Sequence, residues 1–171
     1  MLSRHAPRIC VILLLALFLL LAPSHGQAKG LTCDFYDIPE IPEGWSVSIP
    51  PGFNERKSSL GHFINKTKDC SVMIQVSETK TRATLAEATE QTLNSLRSNG
   101  CKILNGPSRQ GELTRLEVTL TGTPAVMWVG TDSDVLAVTV ISGDREECRL
   151  FLAAFRNASP RLFPSAEQVQ P

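Results

Sequence analysis

Apolar and polar residues alternate along several short stretches of the chain, and this period of two is typical of β-strands with one buried face. The alternation is clear over residues 45–49, and again over 70–77, where Val72, Ile74 and Val76 share one face. Further strands are predicted over residues 60–65, 102–105, 113–121, 125–130 and 135–141. The last is almost continuously apolar, as in a central strand. Short breaks between the later strands favour antiparallel hairpins.

Two segments change to the helical period of three or four residues. Thr84 and Glu87 form a capping-box sequence, and Asn99-Gly100 supplies a left-handed stop, so a helix is predicted over residues 84–99. Its apolar stripe consists of Leu85, Ala86, Thr89, Leu93 and Leu96. A second helix is predicted from Asp144 to near Asn157, burying Cys148, Phe151, Leu152 and Phe155. The fold class is therefore α+β: an antiparallel sheet of about seven strands with two main helices packed on it.

The first 28 residues have the anatomy of a signal peptide. Arg4 and Arg8 precede an apolar run over residues 9–22, and Gly26-Gln27-Ala28 offers cleavage after Gly26 or Ala28. We expect export to the periplasm or the extracellular space. The alternative is an uncleaved leader, which would be the chain's only attachment to a membrane.

Once the leader is removed, residues 29–157 are predicted to form a single domain. Pro39 and Pro42 predict an extended lead-in without regular structure over residues 34–44. Three prolines and few large apolar residues predict a flexible C-terminal tail over residues 158–171.

Charge excludes some classes of partner. The chain has 17 Lys and Arg against 17 Asp and Glu, and the leader holds two of the basic residues, so the mature chain has 15 against 17, a net charge of −2. Both signs are scattered, and we expect neither a nucleic acid nor an anionic membrane as partner.

Four cysteines remain after the leader, and an exported chain holds them where disulfides persist. Four cysteines allow three pairings. If the first helix folds back along the strand over residues 70–77, Cys101 returns to the end of the sheet where Cys70 begins. We therefore predict disulfides between Cys70 and Cys101 and between Cys33 and Cys148.

Candidate catalytic chemistry is sparse. His62 is the one histidine outside the leader, and its position between Gly61 and Phe63 in a predicted strand favours a surface residue over a catalytic base. The sequence Asp132-Ser133-Asp134 predicts a turn and not a calcium site, because the glycine and distal glutamate of a calcium-binding loop are missing. We expect no catalytic residue, metal or cofactor, although the sequence leaves the question of an enzyme open.

Four large side chains are candidates for recognition: Trp45, Met73, Met127 and Trp128. Core packing is the commoner role of such tryptophans. If the two methionines share an open sheet face with one tryptophan, the residues would form an apolar binding patch.

The order of elements resembles the PsbP-like family, which includes bacterial envelope proteins of the DcrB type. The resemblance rests on the opening Ile41-Pro42-Glu43-Gly44-Trp45-Ser46-Val47-Ser48-Ile49-Pro50, on the helix over residues 84–99, and on Gly122-Thr123-Pro124-Ala125 before paired strands. It implies a PsbP-like α/β sandwich with a role in binding or assembly of envelope complexes.

These observations favour an exported, noncatalytic binding or accessory protein of the cell envelope, whose partner is an envelope protein. Two alternatives stay open. One is a secreted hydrolase of unidentified type, and the other is a carrier of a small apolar ligand held between sheet and helix.

Overall fold

Seven strands form one antiparallel sheet in a computed structural model of the chain, which describes residues 29–48, 58–79 and 82–169. Nine strands are described in all, of which the first two form a separate small sheet: β1 (Lys29–Thr32), β2 (Asp37–Glu40), β3 (Trp45–Ser48), β4 (Ser58–Asn65), β5 (Cys70–Glu78), β6 (Lys102–Gln110), β7 (Leu113–Leu120), β8 (Thr123–Asp132) and β9 (Val135–Ser142). The large sheet has the order β3-β4-β5-β9-β8-β7-β6. This confirms the predicted fold class, and it places β9 in the centre, as its apolar run predicted. The predicted leader lies outside the described residues.

The two helices begin where their capping residues predicted. Helix α1 spans Leu85–Ser98, and Thr84 donates its backbone N–H to the Glu87 carboxylate at 2.8 Å while its hydroxyl accepts from the Glu87 N–H at 3.3 Å. Helix α2 spans Arg145–Leu152, and the Asp144 carboxylate accepts from the N–H groups of Glu146 and Glu147. Helix α2 ends five residues earlier than predicted.

Each helix covers one face of the sheet, and each face has its own core. The α2 face carries Phe63, Val72, Ile74, Val126, Trp128 and Ile141, which pack against Phe151 and Leu152 of the helix. The α1 face carries Leu116, Val118, Met127, Val129 and Val140, which pack against Ala88 and Leu96. The central strands β8 and β9 supply both cores, since neighbouring residues of a strand point to opposite faces.

The lead-in over residues 34–44, predicted to lack structure, instead contains β2, which pairs with β1 in a second, two-stranded sheet. Pro39 lies within β2, which is tolerated in a short strand outside the main sheet. Tyr36 and Ile38 of this segment are buried in the α2-face core, so packing rather than local propensity orders it.

The prediction of a flexible tail over residues 158–171 is wrong for residues 158–169. Leu162, Phe163 and Val169 are buried in the α2-face core, and Ala166–Gln168 forms a short 3-10 helix. The apolar residues of this segment are few, but they fill space beside β8 that α2 leaves open. The domain therefore extends to the end of the described chain.

Within the described ranges, no helix is both long and apolar enough to span a membrane.

Candidate functional site

The predicted apolar patch does not form, because its four residues divide between the two faces of the sheet. Met127 and Trp128 are consecutive in β8, so their side chains necessarily point to opposite sides. Trp45 and Trp128 belong to the α2-face core, whereas Met73 and Met127 belong to the α1 face.

The two tryptophans serve the core. Trp128 is 1% exposed. Trp45 is half-buried, and its ring stacks on Phe151 with ring centroids 4.3 Å apart. Neither presents a surface for a partner.

The two methionines lie in one row across the α1 face. Met73 and Met127 are both paired with Val140, one from each side. Met127 is buried, whereas Met73 is only half-buried. Helix α1 contacts β6, β7 and β8 and therefore covers one half of this face.

A groove lies between α1 and the hairpin of β6 and β7, with a cavity volume of about 350 Å³. Helix α1 contributes Ala86, Thr89, Glu90 and Leu93 to its wall. The hairpin contributes Pro107, Ser108, Arg109 and Thr114.

The local sequence explains both walls of the groove. The four helical residues recur at spacings of three, one and three, which places them on one side of α1. On the opposite wall, the register between β6 and β7 shifts between Asn105 and Ser108, next to Pro107. Strand β6 is an edge strand, where a proline and a bulge are tolerated because the outer side has no ladder to complete. Strand β6 consequently extends through Gly106-Pro107, beyond the predicted end at Asn105.

Thr89 is the unusual residue of the groove. It is 7% exposed, and its hydroxyl has no hydrogen-bond partner within the described part of the chain. Thr92, three residues later and also buried, donates its hydroxyl to the Ala88 carbonyl at 2.8 Å. Buried hydroxyls are normally satisfied, and an unsatisfied one costs about 1–3 kcal/mol. The Thr89 hydroxyl is thus an unsatisfied hydrogen-bonding group within the groove wall, shielded from solvent.

The rim of the groove carries one charge of each sign. Glu90 is exposed on α1. Arg109 is held by its own hairpin, since its Nε donates to the Gly111 carbonyl at 2.6 Å and its Nη2 lies 3.5 Å from the Glu112 carboxylate. These contacts hold Arg109 to its own hairpin.

Sequence reasoning missed the groove residues Thr89, Pro107 and Arg109. One signal was present: Thr89 is the only polar residue in the apolar stripe of α1. A hydroxyl on a stripe that packs against a sheet needs a hydrogen-bond partner. This requirement makes Thr89 a candidate binding residue.

The structure places the other chemical candidates apart from the groove. His62 lies in β4 opposite Met73, and burial lowers the pKa of its imidazole, which is therefore neutral at neutral pH. Asp132 and Asp134 flank the β8–β9 turn, where Arg161 lies 3.6 Å from the Asp132 carboxylate. In the described segments, His, Cys, Asp and Glu form no group of three or more that could hold a metal ion.

The described part of the chain contains no disulfide, and the sheet order contradicts the predicted Cys70–Cys101 disulfide. Helix α1 does return the chain to the expected end of the sheet, since Ser71 and Ile103 lie in one row across it. However, β9, β8 and β7 lie between β5 and β6. Four strand spacings amount to roughly 19 Å, and a disulfide needs Cα atoms within about 7 Å.

The predicted Cys33–Cys148 disulfide is not formed either. Both residues belong to the α2-face core, with Cys148 fully buried and Cys33 half-buried at its edge. The neighbouring thiol that raises the pKa of Cys148 is that of Cys70.

No family model matches the chain, and no curated protein matches it. Among solved structures, the chain is similar to the solution structure of cyanobacterial PsbP (CyanoP) from Synechocystis sp. PCC 6803. The two are 19% identical with a TM-score of 0.47, and the match covers 80% of this chain and 98% of that one. The likeness is one of fold alone.

Proposed function

We propose that this protein is an exported, noncatalytic binding protein of the cell envelope that holds a small, largely apolar molecule in the groove between α1 and the β6–β7 hairpin. The observation that carries this proposal is the buried, unpartnered hydroxyl of Thr89 on the groove wall. A ligand with one hydrogen-bonding group next to an apolar body would satisfy it.

The size and lining of the groove support a small ligand. Its volume of about 350 Å³ lies at the lower end of the range for ligand pockets, roughly 300–1,000 Å³. Ala86, Leu93 and Pro107 offer apolar surface, while Thr89 and Thr114 offer hydroxyls at its base. An apolar lining with a few placed polar groups is the usual composition of such sites.

Titration with N-phenyl-1-naphthylamine tests this proposal, since the probe combines an apolar aromatic body with one N–H donor and fluoresces when shielded from water. We expect saturable binding to the native chain. Leu93→Asp should abolish the binding, because it places a charge on the apolar wall. Thr89→Val, which keeps the shape and removes the hydroxyl, should weaken it about tenfold, the effect of one hydrogen bond of about 1.4 kcal/mol.

Two control variants separate the groove from general surface effects. Leu104 is exposed on β6 and does not line the groove, so Leu104→Asp should leave the probe affinity unchanged. His62→Ala, on β4, should also leave it unchanged. Equal binding by the native chain and Leu93→Asp would contradict the proposed function.

A further inference from the structure

Cys70 and Cys148 are brought into contact by elements that are far apart in the sequence. Cys70 begins β5, and Cys148 lies in α2. Their side chains are neighbours, and both are buried in the α2-face core. The Cys148 thiol also lies 3.6 Å from the Ser71 carbonyl and 3.7 Å from the Ser142 carbonyl. The thiol of the helix thus lies directly over the end of β5.

The backbone around this pair is closely fitted. Gly143, which joins β9 to α2, has φ of +78° and lies so near to β5 that a Cβ there would be 2.7 Å from the Cα of Cys70. On the surface above, Lys68 Nζ lies 3.3 Å from the Glu147 carboxylate and links the β4–β5 turn to α2. These contacts hold the start of α2 against the start of β5 and so hold the two thiols in register.

We propose that Cys70 and Cys148 form a disulfide when the chain folds in an oxidising compartment, joining β5 covalently to α2. The reaction converts two thiols into one disulfide and releases two protons and two electrons. A disulfide oxidant accepts them, either glutathione disulfide or the disulfide of an oxidoreductase, and is reduced to two thiols. This proposal does not depend on the groove.

The surroundings of the pair favour the uncharged disulfide over a thiolate. Burial raises the pKa of Cys148 far above its ordinary value, and the neighbouring Cys70 raises it further. Burial also raises the pKa of Cys70. The negative charges of Asp144, Glu147 and Asp69 raise this pKa further. Because thiolates are the reactive species, the exchange takes place during folding, before the core closes. In the folded protein the bond resists reduction.

The other two cysteines stay outside this bond. Cys101 packs on the α1 face, and Cys33 lies at the edge of the α2-face core. The sheet separates them, so they remain thiols after Cys70 and Cys148 have joined.

Peptide mapping identifies the pairing directly. The reduced, denatured mature chain is refolded in a glutathione redox buffer, quenched with acid and digested without reductant. We expect the Cys70 peptide joined to the Cys148 peptide, with Cys33 and Cys101 recovered as alkylated thiols. Pairing of Cys70 with Cys33 or Cys101 would overturn the proposal, as would recovery of both Cys70 and Cys148 as thiols.

Serine variants supply a second readout. If the bond forms, Cys70→Ser, Cys148→Ser and the double variant should each lower the melting temperature of the oxidised protein by about 10 °C or more, by nearly the same amount. Cys101→Ser should change it little. If a variant does not fold, the peptide map of the native sequence still decides the question. Additive effects of the two single variants would contradict a bond.

Discussion

The indole Nε1 of Trp128 donates a hydrogen bond to the side-chain oxygen of Gln110 at 2.7 Å. Gln110 also donates its Nε2 to the Gln168 carbonyl, and Gln168 returns a bond to the Gln110 carbonyl, both at 3.1 Å. The end of β6 is therefore tied both to the largest buried side chain of the sheet and to the C-terminal segment. The chain end that sequence composition predicted to be flexible is held by this network.

Gln110→Ala should lower the free energy of unfolding by about 2 kcal/mol, because it leaves the buried indole N–H without a partner. Chemical denaturation of the variant measures this change. Gln91→Ala is the matched control, since Gln91 is exposed on α1, and it should stay within about 0.5 kcal/mol of the native chain. Equal effects of the two substitutions would show that the network does not stabilise the fold.

Thr139→Val should raise the free energy of unfolding by about 1 kcal/mol. Thr139 is fully buried between Ile74 and Trp128 in the neighbouring strands, and its hydroxyl has no hydrogen-bond partner among the residues described. Valine has the same shape and removes the unsatisfied oxygen. Thr119→Val, on the partly exposed β7, is the control and should have little effect. A loss of stability in Thr139→Val would reveal a hydrogen bond that the structure does not contain.

Gly143→Ala should cost at least about 3 kcal/mol, because the new Cβ would lie within 1.9 Å of the Asp69 carbonyl oxygen. Gly122→Ala is the control that measures the cost of backbone strain without a steric clash. Gly122 also has positive φ, at +91°, but its Cβ would meet nothing within 4 Å, so its cost should be about 1 kcal/mol. Thermal unfolding of the two variants gives the comparison. Similar losses would contradict the close fit of the β9–α2 connection against β5.

Stability should fall as the pH drops below about 6.5. Burial lowers the pKa of His62 from its ordinary 6.5, so the unfolded chain takes up a proton before the folded chain does. The free energy of unfolding therefore decreases progressively as the pH falls from the ordinary pKa of histidine to the lowered pKa of His62 in the folded chain. Urea midpoints at about pH 7.5 and about pH 5.5 bracket this change.

A chain expressed without the predicted leader, which holds His5 and His25, has a single imidazole, and this simplifies the assignment. His62→Gln should flatten the stability profile in this window. A native profile that is flat, or that rises towards pH 5.5, would contradict the partial burial of the His62 imidazole.

Features with a local cause could be predicted from the sequence. The capping box of Thr84 and Glu87 fixes the start of α1 within its own first turn. The alternation of β5 fixes which of its residues face the core, since the period of two belongs to the strand itself. The apolar run of β9 likewise indicated a strand with neighbours on both sides, and the structure places it at the centre.

Features that depend on long-range placement could not be predicted. The position of Cys101 along the sheet axis follows from the length of α1, but its lateral position depends on which edge β6 joins. The burial of Leu162 and Phe163 likewise depends on the space beside β8, which no local pattern reports. The groove also depends on long-range placement, because its walls come from α1 and from the edge of the sheet that β6 and β7 form.

Native mass spectrometry of the protein purified from its own host shows whether the groove holds a ligand, since it weighs the folded chain together with any molecule that it retains. We predict a small ligand on the native chain, retained by Thr92→Val, reduced in occupancy in Thr89→Val and lost from Leu93→Asp. A native chain without ligand, or a ligand retained by Leu93→Asp, would contradict binding in the groove between α1 and the β6–β7 hairpin.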